Sequence, residues 1–192
     1  DAFQVRRYGW RVELLRWIQR RVVRGAAQVM APSRYFAQVV AGWGVPVERL
    51  QAVYNGVALP EGIVPDRSPF LGEPSLPTVV SAGRLVPWKG FEGLLRLIAR
   101  IPDVRLLIIG DGPERARLEA VVAELGLRGR VKLLGSQPRE RLLALVAGAD
   151  VFLLRSRFES FSFQLVEAMM LGLPVVAQTI ANLGEIITTG ED

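Results

Sequence analysis

Arg84 and Lys89 stand five residues apart in the stretch Gly83-Arg84-Leu85-Val86-Pro87-Trp88-Lys89-Gly90, which glycines bound on both sides. Two cations so placed in a loop can converge on one anion. Glycine lets the backbone approach a ligand closely, and a helix beginning after Gly90 adds the positive end of its dipole. The stretch is not a P-loop, because neither Ser nor Thr follows the lysine and the spacing differs. The bland alternative is a pair of solvated surface charges.

A second group is acidic. Glu159 and Glu167 flank Ser160-Phe161-Ser162-Phe163-Gln164-Leu165-Val166, with Glu159 just ahead of a helix and Glu167 two turns inside it. From Phe161 to Leu171 the only polar side chains are Ser162, Gln164 and Glu167. A helix that apolar is covered on most sides, so Glu167 is expected to be partly buried, where a carboxylate needs partners. A hydroxyl pair such as a ribose diol would supply two donors, and a neighbouring arginine would serve as well. Gly110-Asp111-Gly112 lacks the third glycine of a dinucleotide fingerprint, since Arg115 stands there, and reads as a tight strand-to-helix turn. Gln137, in Gly135-Ser136-Gln137-Pro138, carries an amide that could read a nucleobase edge.

Composition narrows the chemistry. Among 192 residues there is no Cys and no His, which removes disulfides, thiolate nucleophiles, Ser-His-Asp triads and most transition-metal sites. Acid–base and anion chemistry must come from Asp, Glu, Arg and Lys. The net charge of +5 is concentrated in residues 1–34, which hold eight arginines against Asp1 and Glu13. Only Lys89 and Lys132 are lysines, a bias that reads as base composition of the coding sequence rather than as nucleic-acid binding.

These residues must be positioned by the elements around them. Hydrophobic residues make up 50% of the chain, ample for a packed core. The spacing of Trp10, Leu14, Trp17 and Ile18 predicts a basic amphipathic helix from about 5 to 24. A strand over 26–32, a helix over 34–42 capped by Ser33, and a strand over 51–54 follow. Five of the twelve prolines fall in residues 58–77 and mark a linker. Beyond it, strands are expected at 78–82, 104–109, 131–134, 151–154 and 174–177. Helices are expected between them at 91–100, 113–125, 140–147 and 161–171. Each strand is a continuous apolar run, as in a sheet covered on both faces, and helical crossovers imply parallel strands. The fold class is therefore α/β, a doubly wound parallel sheet with ligands at the carboxyl ends of its strands. The expected division is 1–57, linker 58–77 and 78–192. The chain reads as cut at both ends.

The segment Val151–Glu185 strongly resembles the nucleotide-sugar-binding half of retaining glycosyltransferases of family 4, which have the GT-B fold. The family's paired glutamates match Glu159 and Glu167, its Gly-Arg…Lys-Gly loop matches Gly83-Arg84 and Lys89-Gly90, and LLIIGDGP matches its strand ending in Gly-x-Gly-Pro. VMAPSRYF and VYNGV look like the end of the family's N-terminal domain, so the likeness covers roughly residues 25–192.

The resemblance implies transfer of a sugar from a nucleoside-diphosphate sugar to an acceptor hydroxyl, with retention and without a metal or other cofactor. Arg84, Lys89 and Glu159 are then the catalytic set. Arg84 and Lys89 neutralise the diphosphate, helped by backbone N–H groups near Phe161 and Ser162. Leu165 packs on the ribose, Glu167 binds its hydroxyls, Glu159 holds the sugar, Gly83 admits the donor and Gln137 reads the base. Ser160 and Ser162 stand where glycines are frequent in the family. The partners implied are a nucleotide-sugar donor and the rest of an acceptor domain, with no nucleic acid. The alternative is a nucleotide-sugar epimerase or a non-catalytic nucleotide-sugar-binding module. Residues 1–24 suit either an anionic membrane surface or an ordinary N-domain helix, giving a cytoplasmic protein with or without peripheral attachment to the inner membrane face.

Overall fold

The computed structural model describes residues 9–70, 76–178, 180 and 183–188. The chain forms two compact units, Asp1–Asn55 and Gly56–Asp192.

In the first unit, helix α1 (Trp10–Gly25) leads into strand β1 (Val29–Ala31), helix α2 (Arg34–Ala41) and strand β2 (Leu50–Ala52). The strands pair in parallel, Val29 opposite Leu50. Ser33 caps α2 as expected, its hydroxyl accepting from the Phe36 N–H at 3.1 Å. No residue of α1 is buried, and Trp10 and Trp17 are largely exposed. Residues 5–8 of the expected basic helix lie outside the described residues. Among the described residues no helix is long and apolar enough to cross a membrane.

The second unit is built on five parallel strands: β3 (Thr78–Ala82), β4 (Arg105–Ile109), β5 (Val131–Leu133), β6 (Val151–Leu154) and β7 (Val175–Ala177). Their order across the sheet is β5-β4-β3-β6-β7. The crossovers are α3 (Phe91–Ala99), α4 (Arg115–Glu124), α5 (Arg139–Ala147) and α6 (Phe163–Met170). On β4 the pleat sends Leu106 and Ile108 into a core with Leu94, Leu95 and Ile98 of α3 and Leu118 of α4. Leu107 and Ile109 enter the opposite core with Leu145 of α5 and Leu165 of α6. Both faces are dry, which is why the strand reads as an unbroken apolar run.

Strand order places the topological switch between β3 and β6, paired through Val79–Val151 and Val80–Phe152. Crossovers wind one way from β3 through β4 to β5, and the other way from β6 to β7. Loops leaving the two central strands diverge there and open a crevice at the carboxyl edge.

The proline-rich stretch expected as a linker packs, in part, as structure of the second unit. Asp66 N–H donates to the Ala144 carbonyl at 2.8 Å. Phe70 is buried, with Arg105 at 4.7 Å and Lys132 at 4.5 Å from its ring centre. Proline content signalled an irregular backbone there; irregularity did not prevent burial. Residues 71–75 lie outside the described residues.

Candidate functional site

The carboxyl ends of β3, β4 and β5 are laced together before any side chain contributes. Gly83 N–H donates to the Ile109 carbonyl, Leu85 N–H to the Asp111 carbonyl and Gly110 N–H to the Gly135 carbonyl, each at 2.9 Å. Gly110 has φ 139°, and a Cβ built on it would lie 2.0 Å from the Gly83 carbonyl oxygen. One on Gly112 would lie 2.4 Å from the Leu85 oxygen. The Gly-x-Gly pair therefore serves the tight turn expected of it, and its glycines let two loops touch backbone to backbone.

This lacing floors a cavity of about 390 Å³ lined by Gly83 and Arg84 from the β3 loop, Gly110 and Asp111 from the β4 loop, Gln137 beyond β5, and Gln164 on α6. Arg84 is exposed. Gln137 donates its side-chain amide to the Leu134 carbonyl at 2.9 Å, which holds it in its own turn at the cavity wall.

Lys89 ends a short 3₁₀ turn, Pro87–Lys89, and the chain reverses through Gly90 at φ 72°. Its side chain lies over Gly83: a Cβ on that glycine would stand 3.8 Å from Nζ. Lys89 Nζ donates to Oε1 of Glu159 at 2.6 Å, and both side chains are largely buried. The cation of the β3 loop and the acid of the β6 loop thus meet at the switch point.

Glu167 is buried, as its surroundings in the sequence predict, and of the two kinds of partner considered for it the structure supplies an arginine. Arg139, at the start of α5, places Nη1 2.6 Å from Glu167 Oε1. The contact is an ion pair rather than an aligned hydrogen bond, and Oε1 has no hydrogen-bonding partner among the described residues. Glu167 lies one turn beyond Gln164, and Arg139 one turn before Leu142. Both of those neighbours line the cavity.

Three details depart from expectation. Helix α6 starts at Phe163, so its free first-turn amides belong to Phe163, Gln164 and Leu165 rather than to Phe161 and Ser162. Ser162 is the N-cap, fully buried, with a hydroxyl that caps nothing and has no hydrogen-bonding partner among the described residues. Phe161 packs edge-on against Phe163 with ring centres 5.0 Å apart. Leu165 is fully buried in the core and offers no surface to a ribose in this structure, because the helix turns that position toward the sheet. Gln164, Asp111 and Arg139, which spacing did not single out, border the cavity or its buried acid. Position 164 follows from periodicity once the helix start is known. Asp111 and Arg139 are brought there only by the sheet.

The family model for "Glycosyl transferases group 1" matches residues 67–192. A lipopolysaccharide core biosynthesis glycosyltransferase of Rhizobium meliloti is 33% identical over 136 residues, 71% of this chain and 38% of its own. A D-inositol 3-phosphate glycosyltransferase of a Mycobacterium species is 36% identical over 163 residues, 80% of this chain and 37% of its own. Among solved structures, HepE of Anabaena in complex with UDP and glucose superposes with TM-score 0.78 at 28% identity, covering 89% of this chain and 51% of that one. Sucrose-phosphate synthase of Thermosynechococcus elongatus gives TM-score 0.79 at 26% identity, covering 91% and 46%. The chain thus spans well under half the length of those two curated relatives. The doubly wound sheet is the Rossmann-like half of the GT-B fold, and the chain belongs to the group 1 glycosyl transferases.

Proposed function

We propose that this chain is the donor-binding half of a retaining glycosyltransferase of family 4, which moves a sugar from a nucleoside-diphosphate sugar to an acceptor hydroxyl. The observation that carries the reading is the Lys89–Glu159 ion pair at the switch point, beside a cavity lined by Arg84 and Gln137. One group of the pair suits a diphosphate and the other a sugar hydroxyl, so the join between those two parts of a donor falls at their contact.

In this reading Arg84 and Lys89 take up the negative charge that grows on the departing diphosphate, and the first-turn amides of α6 add to it. That charge supply stands in for a metal ion. Glu159 accepts from hydroxyls of the transferred sugar, and Glu167 from those of the ribose. Gln137 faces the base. Glu159 is already oriented by Lys89 before a donor arrives, so less ordering remains to be done on binding. The UDP complexes of HepE make UDP the first nucleotide to try.

The test is calorimetric titration of UDP, GDP and ADP into the wild-type chain and Arg84→Ala. Removing an exposed cation spares the fold, and a lost charge-assisted contact should weaken the preferred nucleotide about tenfold. Equal affinity in the two proteins would refute the diphosphate role.

A further inference from the structure

A second hollow opens on the α3/α4 face of the same sheet edge, separated from the donor cavity by the Gly83–Gly90 loop. It has a volume of about 370 Å³, and four guanidinium groups line it: Arg96, Arg117, Arg155 and Arg157. Two carboxylates, Glu92 and Glu114, share the lining and are already engaged. Glu92 accepts from Arg96 at 3.0 Å and also from Arg117, while Glu114 pairs with Arg117 at 2.8 Å. The Arg96 hydrogen bond, with Arg117 adding attraction, holds the Glu92 carboxyl below its ordinary range against the opposing effect of burial.

Arg155 and Arg157 have no side-chain partner among the described residues. Their placement is nonetheless specific. Arg155 lies across the first turn of α3: a Cβ on Gly93 would stand 1.8 Å from its Nη1, and one on Gly90 would stand 2.3 Å from its carbonyl oxygen. Arg157 is tied down by its backbone N–H, which donates to the Trp88 carbonyl at 2.8 Å. The hollow therefore carries a charge excess of two guanidinium groups, and the uncapped start of α3 adds its dipole to them. Two like charges held on one cavity wall are stabilised by an anion between them, and the planar guanidinium fork fits phosphate oxygens in pairs.

We propose that this hollow binds the phosphate group of a small phosphorylated molecule, at a site distinct from the donor cavity. It is independent of the donor reading, since none of its residues is assigned to the donor. The volume leaves room beside a phosphoryl group for about one sugar ring, at the lower end of ordinary ligand cavities. The engaged oxygens of Glu92 and Glu114 can still accept from hydroxyls there.

The experiment titrates the chain by calorimetry with inorganic phosphate, glucose 6-phosphate and glucose. Both phosphates should bind with one-to-one stoichiometry and glucose should not. Arg157→Ala, and Arg155→Ala with Arg157→Ala, should weaken phosphate binding, the pair by at least about tenfold for two charge-assisted contacts. Arg155 packs on α3, so thermal unfolding of the pair is followed in parallel, and Arg157→Ala alone decides if the pair is unstable. Tighter binding of glucose 6-phosphate than of inorganic phosphate identifies an ester as the ligand; equal binding identifies the phosphoryl group alone. Unchanged affinity in Arg157→Ala overturns the proposal, as does a loss confined to Arg84→Ala, which would put the phosphate in the donor cavity. A UDP titration of the same variants reports separately on the donor reading.

Discussion

The ammonium group of Lys89 lies 2.6 Å from a carboxylate oxygen of Glu159, although 70 residues of chain separate the two. They meet because β3 and β6 are adjacent in the sheet, and the loops leaving those strands share one crevice. Burial makes the pair costly to break from one side, because the remaining charge is left without a partner. Lys89→Ala should cost about 3–5 kcal/mol of stability, the range for a buried pair missing one member, read from urea unfolding. Lys89→Met combined with Glu159→Gln removes both charges and should recover most of that loss. A double variant as unstable as Lys89→Ala would show that the two groups are not coupled.

Glu167 gives a second prediction. If it accepts from ribose hydroxyls, Glu167→Gln should weaken UDP about tenfold, since hydrogen bonds to charged groups contribute about 1.5–3 kcal/mol. The wild-type chain should lose a similar factor when UDP is replaced by its 2′,3′-dideoxy analogue, and Glu167→Gln should barely distinguish the two nucleotides. Equal discrimination by both proteins would place the ribose elsewhere.

Phe70 tests the packing of the proline-rich segment. Its ring is buried, with the cations of Arg105 and Lys132 at 4.7 Å and 4.5 Å from its centre. Phe70→Ala should destabilise the second unit by about 3–5 kcal/mol, as for other buried aromatics truncated to alanine. A segment that served only as a linker would tolerate the change.

Acid should loosen the same segment. The Asp66 carboxyl is held below its ordinary value of 3.8, chiefly by hydrogen bonds from Ser68, with Arg141 adding attraction. The folded chain thus binds this proton less readily than the unfolded one. The contribution is complete above the unfolded value and is lost as pH falls through the lower folded one. Urea midpoints measured from pH 6 down to pH 3 should fall less steeply for Asp66→Asn than for wild type. Parallel profiles would remove Asp66 from the acid response.

How much of this was legible beforehand differs by element. Strands β3 and β6 match their expected bounds, because two covered faces force an unbroken apolar run that few other arrangements produce. Helix α6 begins two residues later than its apolar pattern predicts, because Phe161 continues that pattern while the backbone turns only at Ser162. The role that the resemblance implies for Leu165 meets a side chain buried in the core, and the next position back, Gln164, lines the cavity. Glu159 and Lys89 could each be picked out by type and spacing, but their contact depends on strand order, which periodicity does not encode. Arg139 and Arg155 escape a sequence reading for the same reason: each owes its position to a distant helix, Arg139 to Glu167 on α6 and Arg155 to the first turn of α3. Phe70, inside the stretch expected as a linker, is buried beside two cations that are distant in sequence, a contact that proline content does not encode.

The meeting of Gly110 with the carbonyl of Gly83 has a consequence for how such a protein can diversify. Where two main chains touch with nothing between them, selection has no side chain to alter, and any residue larger than glycine must part the loops. Gly110→Ala should accordingly lower stability by about 1–3 kcal/mol from the forced backbone geometry alone, measured by thermal unfolding. Drift in ligand preference is then channelled to the few wall positions that do carry adjustable atoms, Gln137 and Gln164 foremost. A library confined to those two sites would sample new specificities while inheriting an unaltered floor.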